Sequence, residues 1–473
     1  MDIVLTFLPI TILITLLFLN IFLFENSMSG PNQLSLLLAS FIGIYIASKQ
    51  EIRMHTLLVG VKDSIASSMN AMIILLIIGG LTSTWILSGV VPAMIYYGME
   101  LINPDFFLFT TCVICAIVSL STGSSWTTAA TIGIALMGIG EILGINKGLI
   151  AGSIISGAYF GDKMSPLSET TNLAPSVSGS NLIDHIKYMT HTTIPTMIIT
   201  LILFFFISIT SSRQISSFEE TNLLLNTIDS HFYIGLELFI LPLIIAILIY
   251  YRFSAITTLS IGLLSGLLFA YLFQHDLINQ INTYTNNTTI ETMIQTVFYG
   301  TDIRTNNELL NDLLIKEGVK GMFWIVMLVI TSMTFGGIMY KGGFLKQITG
   351  LLLPKSPTST DLIQSTSASC IFFNITTCDQ YMAIVIPGRM FKEIYKDNEL
   401  HSVNLSRTIE DSGTVTSVLV PWNSCAAYHS EMLAVSPLMY LPFCFFNIIS
   451  PFMTLLFAYL NIRIKKIKND QKK

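Results

Sequence analysis

Charge is what this sequence lacks. Only 11% of its 473 residues are Asp, Glu, Lys or Arg, against about a quarter in a soluble domain. The net charge of −5 is spread over loops. Nothing in it points to a nucleic-acid partner or a soluble catalytic domain. Cysteine is sparse as well. All six lie within or beside apolar segments. Cys112 and Cys115 form a C-x-x-C inside an apolar run without partner ligands, which reads as packing rather than zinc or redox chemistry. A Ser-His-Asp hydrolase would have to use His429, Asp411 and a serine, and no nucleophile elbow accompanies them. Neither an enzyme nor a cofactor is expected.

Apolar length is what it has. Hydrophobic residues make up 52% of the chain and the mean hydropathy is +0.68. Apolar segments lie near 4–24, 33–48, 69–90, 106–140, 148–174, 188–209, 232–250, 254–273, 320–340, 359–388, 408–435 and 438–461. Several reach the ~20 residues that cross ~30 Å of hydrocarbon. The first lacks a basic start and a cleavage site, so it reads as a span rather than a signal peptide. The chain is an all-α, polytopic membrane protein.

Basic residues in loops set the orientation. Lys49, Arg53 and Lys62 place loop 49–63 inside, and the tail 463–473, "RIKKIKNDQKK", belongs there too. Both termini are then cytoplasmic. Segment 359–388 has bases on both flanks: Lys341, Lys346 and Lys355 before it, Arg389, Lys392 and Lys396 after it. It reads as a re-entrant hairpin with "NITTCD" at its tip. Segment 106–140 is too long for one span, and "STGSSW" interrupts it, which makes it a second hairpin entering from outside. Ten full spans remain.

The same order then occurs twice with opposite topology: two inverted five-span repeats, each with a re-entrant hairpin and a discontinuous transmembrane helix. The first occupies 1–210, with hairpin 106–140 and broken span 148–174. An external linker covers 211–231. The second occupies 232–473, with hairpin 359–388, broken span 408–435 and the basic tail. Gly123 lies 43 positions before Pro166, and Cys378 lies 43 before Pro421. Inverted repeats with broken helices at matching places point to a secondary transporter whose site lies near the midplane.

Irregular backbone at membrane depth is tolerated only inside protein or along a water-filled cavity. In "GDKMSPLSETTNLAP" (161–175), Gly161 and Pro166 are expected to stop the helix. Asp162, Ser165, Ser168, Glu169, Thr170 and Asn172 supply oxygens. A plainer reading makes this a loop with Ser168 as helix cap, and Lys163 either neutralises Asp162 or meets cytoplasmic water. In the second broken span, Gly413 and Pro421 are the expected breaks, and Asp411, Ser412, Thr414, Asn423 and Ser424 the donors. Glu410 reads as facing cytoplasmic water, His429 and Glu431 as further titrating groups or an external helix end. At the second tip, Asp379 follows Asn374, Thr376 and Thr377. Its plainer reading is an ion pair with Arg389 or Lys392. The first tip offers Ser124 and Ser125, beside Thr122, Thr127 and Thr128, but no acid. The glycine pairs in "IIGGL" (77–81) and "FGGIM" (335–339) read as packing positions.

Together "STGSSWTTAATIG" (121–133), "GDKMSPLSETTNLAP", "CDQYMAIVIPGRMF" (378–391), "EDSGTVTSVLVPWNSCAAY" (410–428) and "YLPFCFFNIISP" (440–451) resemble the NhaC family of sodium/proton antiporters. The resemblance spans roughly residues 30–460. It implies exchange of internal Na+ for external H+ in a bacterial inner membrane, with those ions and the bilayer as partners. An elevator-like movement and a homodimer follow by analogy with related transporters. Some members resemble sodium-lactate/proton-malate exchangers, so an organic-anion exchanger is the alternative, and it would need a cationic anchor such as Arg389. A passive channel suits two broken halves less well. A buried carboxylate serves antiport because proton and cation compete for it. Asp162 and Asp379 are the leading candidates for binding Na+ and H+, with Asp411 third.

Overall fold

The computed structural model describes residues 3–24, 29–210, 218–251, 253–305, 310–311, 314–351 and 357–467. The expected base Lys355, tail residues 468–473 and linker residues 211–217 lie outside these. Among the described residues there are helices and two isolated bridges, Thr301–Lys316 and Leu400–Lys466, but no strands. Six helices of the described residues are long and apolar enough to cross a bilayer, and two bent pairs pass the same test. The chain is a multi-pass, all-α membrane protein.

The helices fall into two packed groups. In the first, Gly318–Lys341 is central, against Pro31–Lys49, Met54–Ser67 and Met69–Leu87, with Ala255–Phe273 beyond. In the second, Phe107–Thr122 packs along Lys147–Met164, and Ser359–Thr376 lies on Gln380–Asp397. Leu182–Thr210 and Phe445–Tyr459 close the second group. Glycine sets the close approach of Phe107–Thr122 and Lys147–Met164. A Cβ on Gly157 would sit 2.2 Å from the Cys112 carbonyl oxygen, and one on Gly161 2.4 Å from the Leu120 nitrogen. Cys112 and Cys115 are fully buried in this contact. Gly161 therefore does not stop its helix, which runs on to Met164. Its small size brings two helices together.

Both glycine pairs of the apolar spans sit at close approaches too: Gly79 against the Gly318 carbonyl and Gly337 against the Gly60 carbonyl.

Four helix breaks carry the polar stretches. The first tip is Gly123, in the left-handed region at φ 70°, followed by Ser124, which caps the helical run 125–142. The second is Cys378 at φ 57°, followed by Asp379, which caps Gln380–Asp397. A non-glycine residue there costs about 1–2 kcal/mol. The first broken helix ends at Met164 and resumes at Glu169 with Ser168 as N-cap. The second runs from Ser402 through a π turn at Glu410–Thr414 and a short 3-10 turn, breaks at 420–423, and resumes at Ser424 with Asn423 as N-cap. Gly413 thus lies inside a π turn; the break comes at Pro421.

The first tip meets the first break, and the second tip the second. A Cβ on Gly123 would be 2.7 Å from Leu167. The Ser424 amide donates to the Cys378 carbonyl at 2.9 Å, and Asn423 Nδ2 to the Asn374 carbonyl at 3.1 Å.

Candidate functional site

Asp162 occupies the last turn of its helix and is buried, 6% exposed. Its Oδ2 accepts from the Ser125 amide at 3.1 Å and the Ser125 hydroxyl at 2.7 Å. The carboxylate therefore sits on the N-terminus of run 125–142, where unpaired amides and the helix dipole favour negative charge. The Ser168 hydroxyl lies beside it, with Glu169 as a neighbouring charge. Thr171 Oγ1 braces the same turn by donating to the Asp162 and Lys163 carbonyls at 3.1 and 3.0 Å.

Asp162 lines a chamber of about 340 Å3. One wall is Thr122, Gly123 and Ser124 with Ser168, Glu169 and Thr170. Another is Gln380 and Tyr381, and the third comes from the first helix group through Ala71, Ile74 and Thr258. A larger cavity of about 740 Å3 adjoins it, lined by Asp63, Asn70, Lys341 and Arg389 among others. Ala71, Glu169 and Tyr381 line both. The Tyr381 hydroxyl donates to Glu169 Oε2, so this bond bridges the two spaces. A third, mainly apolar cavity of about 660 Å3 runs from Trp85 and Ile245 to Thr127 and Leu167. All three lie on the seam between the two helix groups.

Asp379 does not line the chamber. It is 3% exposed, and its Oδ1 accepts from the Met382 amide at 3.1 Å, the ordinary work of an N-cap. Among the described residues it pairs with neither Arg389 nor Lys392. Its neighbour Gln380 enters the wall instead, accepting from Ser417 Oγ at 3.1 Å and Cys425 Sγ at 3.0 Å. Tyr159 meets Ser417 at 3.4 Å, which ties this network back to the first broken helix.

Lys163 departs from both expectations. It is fully buried and forms an ion pair with Asp411, not with Asp162 and not with water. Thr192 Oγ1, at 2.8 Å, and Thr454 Oγ1 also donate to Asp411, and Lys163 Nζ donates to Ser450 Oγ at 3.1 Å. Asp411 is therefore already charge-matched. Glu410 is fully buried rather than water-facing. Arg407, also fully buried, stacks its guanidinium 4.6 Å from the Tyr188 ring centre.

The remaining candidates scatter. Ser124 Oγ accepts from the Thr127 amide at 3.2 Å, and Ser165 Oγ from the Leu167 amide at 3.3 Å. Asn172 turns away from the chamber and donates to the Pro166 and Ser168 carbonyls at 2.8 and 2.6 Å. Thr376 and Thr377 bond back to Phe372 and Phe373 in their own helix, both at 2.8 Å, and are not chamber residues. Ser412 pairs with Ser367 at 2.7 Å. His429 is buried, its Nδ1 2.8 Å from the Cys425 carbonyl and its ring 5.5 Å from Tyr159, with no contact to Asp411. Glu431 is exposed beside Lys316 and Glu317.

Among the described residues no three His, Cys, Asp or Glu side chains gather as metal ligands. The chamber offers carboxylate, hydroxyl and carbonyl oxygen, donors that suit hard cations rather than transition metals.

Comparison with known proteins gives the family. The Na+/H+ antiporter NhaC of Alkalihalophilus pseudofirmus is 35% identical over 98% of this chain and 96% of its own length. The malate-2H+/Na+-lactate antiporter of Bacillus subtilis is 32% identical over 93% of this chain and 92% of its own. The arginine/ornithine antiporter ArcD of Halobacterium salinarum is 32% identical over 85% and 80%. The profile of the Na+/H+ antiporter family matches residues 157–462, which hold the first break, the second tip and the second break. The chain belongs to the Na+/H+ antiporter family.

Proposed function

We propose that this chain exchanges internal Na+ for external H+ across a bacterial inner membrane by alternating access, with Asp162 holding either ion. The observation that carries this is the Asp162 carboxylate, buried, unpaired with any base among the described residues, and lining a chamber on the seam between two helix groups. Oxygens of Ser125 and Ser168 would complete the shell around sodium. Asp379 supports the site as the cap of the second tip. Asp411 drops out as a cargo ligand because Lys163 already occupies it.

An inverted repeat is favoured by four matched pairs: Gly123 with Cys378 in left-handed backbone, Ser124 with Asp379 as caps, Pro166 with Pro421, and Ser168 with Asn423 as caps. The same sequence interval separates each pair. Both breaks and both tips fall in one helix group, which is the arrangement an elevator-like shift against the other group requires. Lys341 and Arg389 at the larger cavity favour a cytoplasmic opening there, and both termini inside, by the charge-bias rule.

The second reading, an organic-anion exchanger, draws on those same two bases as a carboxylate anchor and on the Bacillus subtilis relative named for malate and lactate. Proteoliposomes separate the two. An imposed Na+ gradient moves protons, and Asp162→Asn stops this, if the first reading holds. Na+-independent, saturable malate or lactate counterflow without sodium-driven pH change replaces it with the second.

A further inference from the structure

The buried acids behind the chamber are not all paired. Lys163 is taken by Asp411, the buried Arg407 guanidinium stacks on the Tyr188 ring, and among the described residues no base forms an ion pair with Asp162 or Glu410. Asp162 at least accepts two hydrogen bonds from Ser125. Glu410 is fully buried, and neither of its carboxyl oxygens has a hydrogen-bond partner of normal geometry. The Thr414 hydroxyl, on the same π turn, is orphaned as well. Such groups are rare in folded proteins because each forfeits its water without replacement, and each calls for a missing ligand or a function.

Geometry gathers further oxygen around them. The Thr170 and Thr414 hydroxyls lie beside Glu410, and Asp162 and Lys163 are its charged neighbours. Thr170 and Asp162 also line the chamber, so Glu410 stands one layer behind its wall. The turn Glu410–Thr414 is π-helical. Such turns widen the helix, break its regular bonding, and occur often at functional sites. A carboxylate and two hydroxyls beside a second carboxylate form an oxygen set for a monovalent hard cation.

We propose that Glu410, with the Thr170 and Thr414 hydroxyls, is a second position for the transported cation, next to Asp162. This rests on the Na+/H+ reading above and deepens it: the site takes two Na+ equivalents per cycle, one at each carboxylate.

Equilibrium binding of radioactive sodium to the purified full chain in detergent, at alkaline pH, tests it. The wild type is expected to bind two Na+ per chain, Glu410→Gln one, and Asp162→Asn one. One Na+ per wild-type chain, or wild-type stoichiometry in Glu410→Gln, overturns the proposal. Should Glu410→Gln not fold, Thr414→Val removes one hydroxyl at nearly constant shape. It is expected to weaken one of the two binding phases several-fold, and an unchanged curve overturns the proposal. The same preparations are assayed for sodium-driven proton movement in liposomes. A wild type that exchanges but binds a single Na+, lost in Asp162→Asn, leaves the antiport reading standing and removes Glu410. A wild type that neither binds Na+ nor exchanges removes both.

Discussion

Ser125 gives Asp162 two donors, one from backbone and one from side chain. A hydrogen bond to a charged group contributes about 1.5–3 kcal/mol. Ser125→Ala keeps the amide and loses the hydroxyl, so the apparent KM for Na+ should rise by roughly ten-fold or more at that energy; initial rates across a sodium series in proteoliposomes measure it. A KM unchanged within error would detach Ser125 from the site. Asp162 was legible as an acid in a polar stretch between apolar runs, but its partner was not, because Ser125 reaches it only through the packing of one helix on another. Lys163 and Glu410 depart from their expected places for a related reason. A charged residue near a helix end ordinarily marks water. Here those helices are wrapped by Leu182–Thr210, the second tip pair and Phe445–Tyr459, so both charges are buried inside the protein, Lys163 paired with Asp411 and Glu410 unpaired.

Helix approach sets the next scale. Phe107–Thr122 lies so close to Lys147–Met164 that a methyl at Gly157 would overlap the Cys112 carbonyl. Gly157→Ala must push the two apart, which costs about 1–3 kcal/mol in a well-packed interior. A lowered melting temperature of the purified protein, read by differential scanning fluorimetry, is expected, together with reduced exchange, because the shifted helix carries the first tip against Asp162. Unchanged melting would mean that the contact relaxes freely. The four breaks could be read from Gly, Pro and hydroxyl clusters, and Pro166 and Pro421 lie where the helices part. Gly161 and Gly413 were expected to break their helices and do not, because a glycine that ends a helix and one that admits a neighbour look alike without the neighbour.

Across the whole molecule, one helix group holds both tips and both breaks while the other walls the seam. Movement between the groups is testable at Gly336 and Thr377, which face each other across it: a Cβ on Gly336 would lie 3.7 Å from the Thr377 Cβ. That separation fits a disulfide. All six native cysteines are free, so a Gly336→Cys/Thr377→Cys protein is oxidised beside each single-cysteine variant, which cannot form this link. Exchange should fall with the cross-linked fraction and return on reduction. Full activity in a fully cross-linked sample would exclude sliding at this seam. Competition for one carboxylate also fixes how pH acts: lowering pH should raise the apparent KM for Na+ and leave the maximal rate unchanged, as measured by sodium-dependent initial rates at several pH values.

The most direct measurement is of protons released by the purified protein in weakly buffered detergent solution when Na+ is added. If Asp162 holds either ion, sodium displaces protons from the wild type, choline displaces none, and Asp162→Asn loses the Asp162 share of the release. Equal release from wild type and Asp162→Asn would contradict the account at its centre.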